Sequence, residues 1–455
     1  MMYSPARNDS MNRITLIAAL VLVAILGALA GWYAFLRVRT SAVREADTAR
    51  GFGIPAPSSV GGVLGGTSGN ISYSLGGQGS LSSLQAAQMP GPTDWTATST
   101  EQSAITATST AKAPFKAHFS RPTKTPIAGF GFVSHGTATR LIWAERATGY
   151  VFAADLATGE AVRLTNTLRP KVYEALFDDH GVIERGIAED GSVETFLGTL
   201  GAATTSTAEP AALSGSLIED GIATITTTPS AQSGIFFTRI GKDGDTEVVV
   251  AQRDGKKGKV VFSSPISGWR PIALSDGRLI VAQQPATGVL GFAYEIGKGG
   301  VLSSLVQGAQ GLIVLPRAWG SALTWSISDK DGTMIFVRAN AESEPSRLSL
   351  ATAADKCVWA PPPVGASAKK PGALIAYCAV PKTPPGPNFL EERYQGALHT
   401  EDRWWKVDAA SGSIEPLYNG SEAFDVRDPA IDPSGRYLAF IDATDDSLWL
   451  MQIAP

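Results

Sequence analysis

Side chains that do chemistry readily are scarce in this chain of 455 residues, which has only four histidines and two cysteines. Two of the histidines stand beside acids, in Asp178-Asp-His180 and His399-Thr-Glu-Asp402. An imidazole next to carboxylates is the raw material of an acid–base pair or of part of a metal site. Adjacent strand residues point to opposite faces, however, so sequence neighbours do not converge on one ion or one proton. Both runs therefore read as solvated turns. With no second pair of Cys or His at ligand spacing, neither a metal site nor a cofactor is expected. A Gly-x-Ser-x-Gly elbow, a phosphate loop and a dinucleotide fingerprint followed by a helix are all missing, so no catalytic residue is assigned.

The two cysteines, Cys357 and Cys378, fall on what should be neighbouring strands. In an exported protein they could form a cross-strand disulfide. It would close a loop of about 20 residues, worth about 3 kcal/mol in the chain-entropy account. Two small buried apolar residues are the competing reading. The most unusual stretch is Pro381-Lys-Thr-Pro-Pro-Gly-Pro-Asn-Phe-Leu-Glu-Glu-Arg-Tyr-Gln-Gly396, ahead of Asp402-Arg-Trp-Trp-Lys-Val-Asp408. A proline-stiffened loop carrying aromatics loses little entropy on binding and offers apolar contact area. Phe389, Arg393, Tyr394 and Trp404 are accordingly the candidate recognition patch. Against this, Trp404 and Trp405 straddle a strand, which would turn one of them inward.

A repeated unit has to position these residues. A turn ending in Gly opens an apolar strand, a second turn follows, and then a second apolar strand. Starts at Gly136, Gly181, Gly234, Gly277, Gly320, Gly372 and Gly435 are 43 to 63 residues apart. The strands are rich in β-branched and aromatic residues, and second turns such as Lys242-Asp-Gly-Asp and Ala410-Ser-Gly-Ser supply the positive φ of tight hairpins. Repeats of several short strands at such a period mark β-propeller blades. The expectation is an all-β, seven-bladed propeller over residues 127–455, with six blades the runner-up and eight blades or another all-β fold behind it. One copy cannot bury its apolar face alone. The last copy ends at Ile453, short of a full complement of strands, so residues within 112–134 should supply the missing strand and close the ring.

Residues 1–13 form a short tail, and residues 14–36 are 23 consecutive uncharged residues. At about 1.5 Å per residue they span a hydrocarbon core of about 30 Å, so the chain is expected to anchor in a membrane there. A cleaved signal peptide competes, with Ala28-Leu-Ala30 as a small-residue site, but the apolar run continues six residues beyond it. Arginines flanking the segment favour a cytoplasmic C-terminus by charge counting; the layout of tail, stalk and β-domain favours an extracytoplasmic one, which is the reading adopted. Residues 37–126 form the juxtamembrane segment and stalk. Over 51–126, 33 of 76 residues are Gly, Ser or Thr and six are charged, the composition of a flexible tether. The net charge of −4 gives no electrostatic reason to expect nucleic acid.

Gly435-Arg-Tyr-Leu-Ala-Phe440, Trp405-Lys-Val-Asp-Ala-Ala-Ser-Gly412, Asp432-Pro-Ser-Gly435 and Tyr150-Val-Phe-Ala-Ala-Asp-Leu-Ala-Thr-Gly159 resemble repeats of WD-repeat-like and TolB-like propellers. With its anchor, stalk and cysteine-bearing blade, the chain is similar to single-pass, membrane-anchored bacterial propeller proteins. The resemblance implies the fold, and partners that are proteins, peptides or glycans; it transfers no functional residue, because the repeat positions are structural. Ser328-Asp-Lys-Asp-Gly-Thr333 resembles the Asp-box turn of sialidases, but its spacing differs and it reads as a hairpin turn. The function expected is a membrane-tethered, extracytoplasmic binding or scaffold module for a partner protein or cell-surface polymer, with its partner at the propeller face or rim. A hydrolase or lyase acting on a glycan or lactone in the central funnel is the alternative.

Overall fold

The computed structural model describes residues 118–135, 138–156, 158–200, 209–218, 221–228, 234–363, 372–418 and 420–453. The span expected at 14–36 and the stalk up to residue 117 lie outside them. Among the described residues no helix is long and apolar enough to cross a membrane.

These residues form seven four-stranded sheets, every neighbouring pair antiparallel. In chain order the sheets run 127–163, 172–217, 222–264, 269–310, 313–347, 357–416 and 426–452, here blades 1 to 7. First strands of neighbouring blades meet around the axis: Ile127–His135 meets Val172–Asp178, and Val426–Ile431 meets Ile127–His135. The chain is a seven-bladed β-propeller, which excludes the six-bladed reading. Six of the seven repeat glycines mark a blade's second strand, and Gly136 lies outside the described residues. Gly181 and Gly234 begin theirs, while Gly277, Gly320, Gly372 and Gly435 stand just ahead of theirs.

The ring closes as the pattern required. Blade 7 has the order His118–Thr123, Ser447–Gln452, Tyr437–Asp442, Val426–Ile431 from outside in, so its outermost strand comes from the start of the ring. His118 lies opposite Gln452 and Thr123 opposite Leu448. The propeller therefore starts upstream of residue 127, inside the segment assigned to the stalk. That strand reads as polar because an outermost strand needs little apolar anchoring; Phe119 supplies it, against Tyr418 and Phe424.

The reason for a ring lies in the two-residue period of the strands. On Ala138–Glu145, Leu141 and Trp143 face blade 7, while Ile142 and Ala144 face blade 2. A blade apolar on both faces must be sandwiched on both sides. Seven hydrophobic clusters result, each spanning one pair of neighbouring blades. Close approach sets one strict requirement: a Cβ on Gly129 of blade 1 would sit 2.0 Å from the Ala175 carbonyl oxygen of blade 2.

Strand direction defines two faces. The top carries the links from one blade's last strand to the next blade's first, and the turns between second and third strands. The bottom carries the other turns, among them Asp432-Pro-Ser-Gly435, where the buried Asp432 carboxylate accepts from the amides of Ser434, Arg436 and Tyr437 at 2.7–3.0 Å. Gly435 takes φ 72° to complete that turn. The chain enters the ring at His118, at the bottom rim of blade 7.

Candidate functional site

Blade 6 begins with a short 3₁₀ turn, Ala354–Lys356, fixed from blade 5 by Ser326, whose Oγ accepts from the Ala354 amide at 2.9 Å. The turn buries Lys356 completely at the top of the ring. Its ammonium donates to Asp402 Oδ2 at 2.6 Å, Thr400 Oγ1 at 2.7 Å and Asp425 Oδ1 at 2.9 Å, which uses all three protons. Asp402 opens the third strand of blade 6 and Asp425 immediately precedes the first strand of blade 7, so the cluster joins the two blades. Asp402 Oδ2 also accepts from the Val426 amide at 2.8 Å. His399 Nδ1 lies 2.9 Å from Asp425 Oδ2, with 45% of the side chain exposed. It is the one member of the cluster that reaches solvent to this degree.

The two carboxylates sit in different fields. Burial pushes Asp402 above its ordinary value, and Lys356 only partly offsets this. Burial acts on Asp425 too, but Lys356 and hydrogen bonds from Lys356, His399 and Thr400 outweigh it and hold that carboxyl below the usual range. Asp425 thus stays ionised against the imidazole. This is the geometry in which a carboxylate fixes the orientation of a histidine whose second nitrogen faces outward.

A second cluster lies beside the first. The turn between the second and third strands of blade 6 is the proline-rich insertion, which contains a six-residue helix, α1 (Phe389–Tyr394). Phe389 and Leu390 are buried against Ile313, Ala353 and Ala354. Arg393 donates to both oxygens of Asp355, at 3.0 and 2.8 Å, and the Tyr394 hydroxyl donates to Asp355 Oδ2 at 2.6 Å. Burial opposes the charge on Asp355, yet Arg393 and Tyr394 hold its carboxyl below the ordinary value. Glu391 reaches blade 4, where its carboxylate accepts from the Thr287 amide at 2.6 Å and hydroxyl at 2.7 Å. The Arg270 guanidinium, also on blade 4, lies 5.4 Å from the Tyr394 ring centre. The insertion is therefore a strap across the top of blades 4 to 6, fixed at both ends of α1.

The recognition patch expected from sequence is not assembled at the surface. Phe389 and Trp404 are each 1% exposed. Phe389 anchors the strap from below, and Trp404 lies between blades 6 and 7 with its ring 5.5 Å from that of Phe440, the inward alternative. Arg393 and Tyr394 spend their polar atoms on Asp355. What the strap turns outward is mixed: Lys382, Asn388, Glu392, Gln395 and His399 are exposed, and so are Pro384, Pro387 and Ala397. Cys357 and Cys378 sit opposite each other on adjacent strands and are joined as a disulfide.

The acid–histidine runs part ways. Asp178 caps its turn, accepting from the amides of His180 at 2.8 Å and Gly181 at 3.0 Å, and pairs with Arg253 of blade 3 at 2.6 Å; Asp179 and His180 are exposed, as expected of a turn. His399-Thr-Glu-Asp402 is not a plain solvated turn. Glu401 is exposed and pairs with Lys382 at 2.8 Å, but Asp402 is fully buried. The signal was available in strand period: Asp402 and Trp404 share a face, so an inward tryptophan carries the aspartate in with it. Lys356 and Asp425, far away in sequence, gave no local signal. The Ser328–Thr333 segment is a hairpin turn, with Asp329 paired to Gly332. Among the described residues no group of three His, Cys, Asp or Glu could hold a metal ion.

No family model matches the sequence, and no curated protein matches it. Solved structures do resemble it in shape. An oligogalacturonate lyase from Vibrio parahaemolyticus shares 10% identity at a TM-score of 0.45, over 75% of this chain and 99% of that one. An oligogalacturonate lyase in complex with manganese shares 12% at 0.44, over 75% and 99%. The β-propeller domain of the trilobed protease from Pyrococcus furiosus, described as having an open velcro topology, shares 10% at 0.43, over 75% and 99%. Likeness at this level says nothing of ligand or chemistry, and the fold assignment rests on the seven sheets themselves.

Proposed function

We propose that the protein is a binding or scaffold module, tethered to a membrane through residues 14–36, that holds a partner protein or surface polymer on the top face of its propeller. The observation that carries this reading is the strap. Phe389 and Leu390 are used internally, Glu391 and Arg393 are paired to blades 4 and 6, and the exposed residues set hydrogen-bonding side chains (Lys382, Asn388, Glu392, Gln395, His399) among prolines on a fixed backbone. A pre-ordered polar rim loses little entropy when a partner docks. Lys356, Asp402 and Asp425 satisfy one another, which suits a rigid support better than a reacting centre. The Cys357–Cys378 disulfide supports an extracytoplasmic address, since such bonds persist in oxidising compartments.

Replacing exposed strap side chains together, as Asn388→Ala/Glu392→Ala/Gln395→Ala, should abolish co-purification of the partner from gently solubilised membranes while leaving the propeller's unfolding transition in place, because none of the three is buried. Retention of every partner by that variant would refute the strap's role. Address is tested separately. Cysteine placed at exposed Thr158 should react with a membrane-impermeant thiol reagent on intact cells, and a propeller that labels only after lysis would place it on the cytoplasmic side.

The alternative, a hydrolase or lyase acting on a glycan or lactone, is favoured by one feature, the Asp425–His399 pair with its exposed imidazole. Glycan or lactone cleavage lost in His399→Ala but kept in Lys382→Ala would support it.

A further inference from the structure

Two neighbouring turns on the bottom rim carry the same mixture of charge and apolar surface. They join the third and fourth strands of blade 3, at residues 253–258, and of blade 4, at residues 297–301. The first runs into its outer strand as Lys256-Lys-Gly-Lys-Val-Val261, the second as Lys298-Gly-Gly-Val-Leu302. The two meet, since a Cβ on Gly300 would sit 3.0 Å from the Val261 carbonyl oxygen. Lys256, Lys257, Lys259 and Lys298 are all exposed. Beside them Val260, Val301 and Leu302 are 40%, 66% and 38% exposed. Charge in this patch is unbalanced. Asp254 pairs with Lys256 at 3.3 Å, Asp178 with Arg253 at 2.6 Å, and Asp276 and Glu295 of blade 4 are both taken by Arg278, at 3.0 and 3.3 Å. Lys257, Lys259 and Lys298 have no ion-pair partner among the described residues. A chain of net charge −4 thus gathers three uncompensated cations on one rim. The top of blade 3 differs: exposed Ile240 is followed there by Lys242-Asp-Gly-Asp245, in which acid outnumbers base.

We propose that the bottom rim of blades 3 and 4 docks on an anionic membrane surface, with the lysines against lipid phosphates and Val260, Val301 and Leu302 at the headgroup boundary. The mixture of residues selects this occupant. Lysines alone would suit any polyanion. Apolar side chains exposed among them gain by leaving water only against an apolar phase, which a lipid surface offers together with negative charge. The proposal rests on the reading of the chain as membrane-tethered and adds an orientation to it. The chain enters the ring at His118, also on the bottom, but a tether of Gly, Ser and Thr does not itself fix which face meets the bilayer. The lysine patch does, and it keeps the top face with its strap off the lipid.

The test uses the full chain with Val301→Cys carrying an environment-sensitive fluorophore. The native cysteines are joined in a buried disulfide and do not compete for the label. In nanodiscs of equal parts phosphatidylcholine and phosphatidylglycerol, emission should rise several-fold over that in phosphatidylcholine alone, and high salt should reverse the rise. A label at exposed Asn388, on the strap, should not respond. Adding Lys257→Glu/Lys259→Glu/Lys298→Glu should abolish the rise. All three lysines are exposed, so that variant should keep the wild-type unfolding transition. Equal emission in both lipids, a rise that survives the triple charge reversal, or an equal response from the Asn388 label would each overturn the proposal. An equal rise with soluble polyglutamate would overturn it too, by assigning the patch to an acidic protein. Failure of the tether reads differently: the chain would then stay off neutral nanodiscs altogether, while the Val301 label would still respond to added phosphatidylglycerol vesicles.

Discussion

Lys356 is the residue on which the top of blades 6 and 7 depends most. Its ammonium is fully buried with two carboxylates and a hydroxyl as its partners. Removing one partner of a buried ionic cluster costs about 3–5 kcal/mol, because the remaining charges lose their compensation. Lys356→Met should lower unfolding free energy by roughly that amount in urea titration. Adding Asp402→Asn and Asp425→Asn should recover a large part of it, which a mere packing defect would not allow. Glu184 gives a pH-dependent counterpart on blade 2. It is fully buried, with Arg169 Nε 3.1 Å from Oε2 but no hydrogen bond made by either atom. Burial pushes its carboxyl up to about 7, against the pull of Arg169. The folded protein therefore holds this proton more tightly than the unfolded chain does. The associated stability is complete below the ordinary carboxylate value and is lost as pH rises through about 7. The loss amounts to roughly 3 kcal/mol. Glu184→Gln should match wild type near pH 4 and exceed it by about that margin near pH 8, as read by urea unfolding at both pH values. Of this, only the burial of Asp402 was legible in sequence, through the face it shares with Trp404, since Lys356, Asp402 and Asp425 are brought together only by the junction of two blades.

Among the elements, the strap shows where sequence reading stops. Proline spacing and aromatics marked residues 381–396 as unusual, which they are. The same aromatics are expected outward from sequence, whereas Ile313 of blade 5 and Ala353 and Ala354 at the junction with blade 6 form an apolar seat that Phe389 and Leu390 fill. A loop's own sequence does not say whether its apolar residues meet a partner or the surface beneath them. The strap is held by this apolar seat and by polar contacts at Asp355 and Thr287, so Arg393→Ala should loosen it selectively. Backbone hydrogen exchange over 384–398 should accelerate by at least about tenfold, the equivalent of roughly 1.4 kcal/mol. Strands of blades 1 to 3 should keep their protection. The closing strand was legible in position but not in composition: the missing outer strand of the last copy demanded one within 112–134, and His118–Thr123 supplied it.

For the whole molecule, repeat period and turn chemistry pointed to a propeller, to seven blades ahead of six or eight, and to closure by an upstream strand, and the seven sheets decide the number. Blades are defined by local signals that recur: a Gly turn, an alternating strand, a tight hairpin. Seven such units bury their faces only by stacking in a ring, so the architecture followed once they were counted. The proposed binding face is a different kind of property, because its strap rests on blades 4 to 6, a convergence that no local pattern encodes. The face proposed to bind is the top, with the strap as its rim. A photo-crosslinking amino acid at exposed Asn388, on the strap, or at exposed Thr158, on the bottom of blade 1, discriminates directly when irradiated in intact cells. The account predicts a discrete crosslinked species from Asn388 and none from Thr158. Crosslinking from Thr158 alone, or from neither position, would contradict it.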